Sequence, residues 1–249
     1  MEDMLIVIAV FFSSIIFSML GLGGAIFYVP FFYWTGMELV GAITTSLLLN
    51  IVTSGSATVI YLRRKLVDLH IAVSFIIASA TGAQIGAYFT RLVPVDILLL
   101  FFAILMIVVG LEMIFERIEG FYRGQDITGG KKLVLVLSGG MIVGILSGML
   151  GIGGGSFIVP ILVLMGYGIK YAAATSGFIV IFTSLSGFIA HLDSWEPDTS
   201  LIAYILVASF IGAQIGSHLM SGKIEAGTLK KLFGVILLLM AARIISGSL

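Results

Sequence analysis

Two glycine clusters, Gly21-Leu22-Gly23-Gly24-Ala25 and Gly151-Ile152-Gly153-Gly154-Gly155, are the places where this sequence could do chemistry. Glycine lets a chain leave helical geometry, at a helix-propensity cost of about 1 kcal/mol per residue relative to alanine. A helix that starts after such a break opens with unpaired N–H groups at the positive end of its dipole. That end attracts an anion without any cationic side chain. Close helix packing, which small residues serve in membranes, is the alternative role for the same glycines. Neutral side chains are the candidates to join the backbone donors: Thr45, Ser46 and Asn50 in the first half, Thr175 and Ser176 in the second, and the paired Gln84 and Gln214. Ser46, Asn50 and Thr53 share one helix face at i, i+4 and i+7. Serine and threonine also bond their own backbone or join helices. Gly82-Ala83-Gln84-Ile85-Gly86 and Gly212-Ala213-Gln214-Ile215-Gly216 are equally readable as packing faces glued by glutamine.

Other chemistries are poorly served. The chain has no cysteine, which excludes a thiolate nucleophile, an iron–sulfur cluster and a disulfide. It has no H-E-x-x-H motif and no acid pair within an apolar segment, so no catalytic residue, metal or cofactor is expected, and the chain reads as a non-enzyme. His191-Leu192-Asp193, in a loop rich in acids, offers two metal ligands and no third at useful spacing. Lys and Arg (13) balance Asp and Glu (13), without the clustered basic surface that nucleic acid requires.

The elements that must position these residues are membrane helices. Of 249 residues, 59% are hydrophobic and 10% charged, against about 25% charged in a soluble domain. Long apolar segments fall at 4–20, 41–61, 71–90, 95–115, 133–150, 172–190, 199–219 and 229–246. Each approaches the roughly 20 residues that cross about 30 Å of hydrocarbon, and backbone satisfaction in lipid leaves helices as the solution for runs of this length. Two more runs, 25–34 and 156–165, directly follow the glycine clusters. At about 1.5 Å per residue they are too short to span, so the breaks are expected at membrane depth. Met1-Glu2-Asp3 lacks the positive region of a signal peptide, so the first run is expected to stay in the mature protein. No Lys, Arg, Asp or Glu lies near the middle of a long segment.

The chain repeats itself. Gly21 recurs as Gly151, Pro30 as Pro160, Thr45-Ser46 as Thr175-Ser176, Thr53-Ser54 as Thr183-Ser184, and Gly82–Gly86 as Gly212–Gly216, all at one offset of 130. The loop after 41–61 is basic, whereas its counterpart after 172–190 is acidic, so the copies must face opposite ways. Five segments per copy, one short and four long, satisfy that. The expected fold is an all-α integral membrane protein with two inverted repeats: 1–116, a connecting loop 117–132, and 133–249. The short segments are broken or re-entrant helices. Inverted repeats with broken helices are the architecture of secondary transporters, with the solute at midplane. Placing Arg63, Arg64, Lys65, Arg117, Arg123, Lys131, Lys132, Lys170, Lys223, Lys230 and Lys231 inside leaves only Arg91 and Arg243 outside, and puts both termini outside.

The paired motifs Gly21-Leu22-Gly23-Gly24-Ala25…Pro30 and Gly151-Ile152-Gly153-Gly154-Gly155…Pro160 resemble the TauE/SafE family of membrane permeases, and the resemblance covers nearly the whole chain. It implies export of sulfite or a related sulfonate across a bacterial cytoplasmic membrane. Ala25 stands opposite Gly155, so the two half-sites are not equivalent. The expected ligands are Gly21, Gly23, Gly24, Gly151, Gly153, Gly154 and Gly155 through their backbone, with the neutral side chains named above. The expected partners are a small anion and the bilayer, with a homo-oligomer left open. An anion channel using the same dipoles is the alternative, and a membrane-embedded enzyme the third reading.

Overall fold

A computed structural model describes residues 2–115, 130–195, 198–220 and 227–248. Among them are ten α-helices: α1 (Glu2–Leu20), α2 (Ala25–Trp34), α3 (Leu39–Arg63), α4 (Leu69–Thr90), α5 (Val95–Phe115), α6 (Gly130–Leu150), α7 (Gly155–Leu164), α8 (Ile169–His191), α9 (Thr199–Met220) and α10 (Gly227–Ser248). Seven are long and apolar enough to cross a membrane, and α10 carries a shorter apolar run, Leu237–Ser246. Large apolar side chains stay exposed along them, among them Leu100, Phe101, Ile104 and Val108 on α5 and Tyr204, Val207, Phe210 and Ile211 on α9. Such faces are tolerable where lipid is the solvent. Arg117, Arg123 and most of the expected connecting loop lie outside the described residues, as does Lys223.

Helix ends follow local chemistry that repeats at the same offset. Asp68 and Asp198 cap α4 and α9 by accepting the N–H groups two and three residues on. Gly21, Gly23, Gly24 and Gly36 all have positive φ, and so do their counterparts Gly151, Gly153, Gly154 and Gly166. At Gly36 the chain closes α2 with the paired bonds of a Schellman turn, Gly36 N–H to Tyr33 O and Met37 N–H to Phe32 O.

The helices pack in pairs that exchange between the halves. α3 lies on α8 and α5 on α10, each with its own counterpart; α4 packs on α6 as α1 packs on α9; α2 lies on α3 as α7 lies on α8. Glycines set the closest approaches. A β-carbon on Gly82 or Gly86 would meet backbone of Met141 or Ile145 on α6, and one on Gly212 or Gly216 would meet backbone of Phe11 or Ile15 on α1. The G-A-Q-I-G elements are therefore helix-packing faces. α3 and α8 are the most buried spans. They run antiparallel: Thr45, near the start of α3, bonds Trp195 beyond the end of α8, and Thr175, near the start of α8, bonds Asp68 beyond the end of α3.

One placement differs from expectation. His191 is the last residue of α8 rather than part of an exposed loop, and is 1% exposed. Its Nδ1 lies 2.9 Å from the Gly187 carbonyl, the helical i−4 position, so the ring continues the helix and is covered by packing.

Candidate functional site

Both glycine clusters break the chain. α1 ends in a Schellman turn, Gly21 N–H to Ser18 O and Leu22 N–H to Phe17 O, and α6 ends with Gly151 N–H on Ser147 O. The backbone then runs without helical bonds to Gly24 and Gly154, the N-caps of α2 and α7, at φ 107° and 84°. Neither N-terminus has a side chain capping its free N–H groups. Pro30 and Pro160 sit inside these short helices, where they lack the N–H that would bond four residues back.

The two breaks meet. A β-carbon on Gly155 would fall 2.5 Å from the Leu22 carbonyl oxygen, so the first break passes directly over the second. The Ser176 hydroxyl ties them together, donating to Gly21 O at 3.1 Å and lying 3.5 Å from Gly155 O. Gly21 also lies against the Ala173 backbone of α8, and Gly151 against Ile43 of α3. Each break is thus pressed onto the central helix of the other half.

Asn50 of α3 sits between them. A β-carbon on Gly23 would overlap its Oδ1, and one on Gly153 would overlap its Nδ2 and approach Ser184 Oγ. Asn50 is 0% exposed, and its Nδ2 donates to Ser184 Oγ at 3.0 Å. Ser46, Ser54, Ser147 and Ser156 are also buried, with hydroxyls that have no protein partner. None of α2, α3 before Arg63, or either break carries an ionisable acid or base of the Asp, Glu, Lys, Arg or His type. The uncapped N-termini of α2 and α7, the Ser184 hydroxyl and the Asn50 amide come together here, buried in an environment of low dielectric.

Other expected residues are engaged elsewhere. Thr45 Oγ1 accepts from Trp195 Nε1 and Thr175 Oγ1 from the Asp68 N–H, both at 3.0 Å, so each threonine ties down a loop at one end of the central pair. Gln84 Nε2 donates to the Ser186 carbonyl and hydroxyl on α8, and Gln214 Nε2 to those of Ser56 on α3. The glutamines join α4 to α8 and α9 to α3. Gly24 packs under the Tyr28 ring, whose hydroxyl lies 2.8 Å from Ser14 Oγ, and Gly154 lies against Val143. Ser184 was one of several neutral hydroxyls of the second half, set apart only as the repeat partner of Ser54. Ser147 and Ser156 carry no mark in the sequence, because a lone buried serine in a membrane helix is common.

The ends of the molecule differ. At the end bearing Arg63 and Arg64, a groove of about 480 Å³ opens between α3 and α9, lined by Val59, Ile60, Arg63, Arg64, Phe210, Gln214 and His218. The Tyr167 hydroxyl donates to Asp68 at this end, and Lys132 stands over the Tyr167 ring, which joins three connections on one face. Partial burial pushes the Asp68 carboxyl up. The Tyr167 hydroxyl, the Ile71 and His70 amides and the Lys132 charge outweigh it and hold the group below its ordinary value. At the opposite end Arg91 donates to the Ala190 carbonyl and faces Asp193 at 3.9 Å.

Two breaks with uncapped helix N-termini thus lie against each other, with Ser176 and Asn50 at the contact. A family model described as sulfite exporter TauE/SafE matches residues 6–244. The chain belongs to the TauE/SafE family. Among its relatives, "Probable membrane transporter protein YunE" of Bacillus subtilis is 28% identical over 98% of both chains. "Probable membrane transporter protein YdhB" of the same species is 25% identical over 86% of this chain and 89% of its own length. "Probable membrane transporter protein YfcA" of Escherichia coli is 28% identical over 81% of this chain and 74% of its own. No solved structure matches the chain. The family is one of membrane transporters, and the relatives, each named a probable membrane transporter, carry no solute in their names.

Proposed function

We propose that this chain carries a small oxyanion, sulfite or a related sulfonate, out across the cytoplasmic membrane through a site between its two glycine breaks. The observation that carries this reading is the convergence of Gly23 and Gly153 on one buried amide, Asn50, beside two uncapped helix N-termini. Helix dipoles and neutral donors hold an anion without a full countercharge, so they can also release it. Outward movement of one negative charge gains about 2.3 kcal/mol per 100 mV of inside-negative potential.

The antiparallel α3 and α8, and the exchange-symmetric pairing of the other helices, support two inverted repeats. On that reading the face bearing Arg63, Arg64 and Lys132 is cytoplasmic, both termini are external, and the cationic groove is the inner mouth. Asn50, Thr53 and Ser184 are completely buried, which favours a carrier over a channel. A solute reaches them only if one part of the fold moves against another.

The test is efflux from proteoliposomes holding sulfite, with thiosulfate, methanesulfonate and sulfate as competitors. Saturable sulfite flux that is accelerated by anion on the opposite side supports the reading. Flux that never saturates points to a channel, and no flux of any of these anions refutes the proposal.

A further inference from the structure

Among the described residues, the buried side-chain polar atoms without a partner are the hydroxyls of Ser46, Ser54, Thr58, Ser147 and Ser156, the amide oxygen of Asn50, and Nε2 of His191. The hydroxyls can rotate to donate, so they suit an anion. An amide oxygen cannot donate at all. His191 sits at the end of α8, away from the breaks. Among these atoms Asn50 Oδ1 is therefore the one beside the breaks that can only accept, and it faces Gly23 at zero exposure. Its own amide hydrogens are oriented by Ser184 Oγ on the opposite side. A buried acceptor left unmatched is costly, and a fully ionised oxyanion beside it adds repulsion rather than a bond.

We propose that the solute held between the breaks is a monoanion that still carries one hydrogen donor, which it gives to Asn50 Oδ1. The inference rests on the anion site proposed above and narrows it. The charged oxygens of the solute take the free N–H groups of α2 and α7, and its remaining O–H points at Oδ1. A cation would also satisfy Oδ1, but the positive ends of two helices converge there and no carboxylate offsets them. For sulfite the carried species is then the hydrogen form, so each transport event moves one proton and one net negative charge. Sulfate, fully ionised in neutral water, is rejected because it brings no donor. Methanesulfonate, a monoanion of similar size, is disfavoured for the same reason.

The test measures sulfite flux in proteoliposomes on both sides of the second ionisation of sulfite, with methanesulfonate as a competitor whose charge does not change. The wild-type KM for total sulfite is expected to rise about tenfold per pH unit above that ionisation, with kcat unchanged. Competition by methanesulfonate should be weak in the wild type. In Asn50→Leu the preference for sulfite over methanesulfonate should shrink by about tenfold. The wild-type pH profile stands without any variant, so a misfolded Asn50→Leu does not shield the idea. Saturable flux with a KM independent of pH overturns this inference and leaves the anion site standing. Flux that requires sodium, with the requirement lost in Asn50→Leu, also overturns it by giving Oδ1 to a cation. Absence of all anion flux overturns both.

Discussion

Gly23→Ala and Gly36→Ala separate backbone strain from damage to the site. Both positions have left-handed φ, 83° and 92°, and an L-residue in that region costs about 1–2 kcal/mol. They differ in what the added methyl meets. At Gly36 nothing lies within 4 Å, whereas at Gly23 the methyl would overlap Asn50 Oδ1. Crowding a packed interior costs a further 1–3 kcal/mol or so, giving about 2–5 kcal/mol at Gly23 against about 1–2 at Gly36. The excess is relieved by pushing the Asn50 amide from between the breaks, and a displacement near 1 Å in a binding constellation can cost on the order of a hundredfold in rate. Each variant would be assayed for thermal stability in detergent and for sulfite efflux from proteoliposomes. Gly36→Ala should lose a little stability and keep its flux, while Gly23→Ala should lose more stability and at least about tenfold of its flux. Gly153→Val, which would overlap Asn50 Nδ2 and crowd Ser184, should behave like Gly23→Ala in more severe form. Wild-type flux in Gly23→Ala would remove the breaks from the mechanism. An equal loss of flux in Gly36→Ala would mean that strain alone, not the Asn50 contact, is responsible.

Gln84→Leu and Gln214→Leu should each lower thermal stability modestly, at about 0.6 kcal/mol per lost interhelical bond, without changing the KM for sulfite; a raised KM would place the glutamines at the solute. The native chain has no cysteine, so His70→Cys and Ser200→Cys can be labelled singly in right-side-out and inverted vesicles. An impermeant maleimide should reach Ser200→Cys from outside and His70→Cys from inside, and labelling of both from one side would contradict inverted repeats. Asp68 is held below its ordinary carboxylate value, with hydrogen bonds from Tyr167 and two amides favouring the ionised form. Its contribution to stability is complete above the unfolded carboxylate value and is lost as pH falls through the lowered native value. Tyr167→Phe should therefore flatten the acid limb of the stability profile, measured as melting temperature against pH; an unchanged limb would show that the contact does not matter.

The spans and the breaks were legible because each is local, and the repeat because it recurs at one fixed offset. Hydropathy depends on composition over about twenty residues. The glycines at 21, 23 and 24, and again at 151, 153 and 154, announce backbone that other residues would strain to adopt. The offset of 130 linked the two places before any contact was known. The roles of the neutral polar residues were not legible, because hydroxyls and amides bond equally well to their own helix, to a neighbour or to a solute. Thr45 and Thr175 match each other in sequence as closely as the glycines do, yet they tie loops at opposite ends of the central pair. Gln84 and Gln214, an identical pair, join helices. Asn50 has Val180 as its counterpart, so the repeat gave no hint that it stands between the breaks. Helix rotation and the antiparallel packing of α3 on α8 put it there. Rotation about a helix axis is set by the close approach of small residues such as Gly21 on Ala173 and Gly155 on Leu22, contacts between segments far apart in the chain that no local pattern encodes.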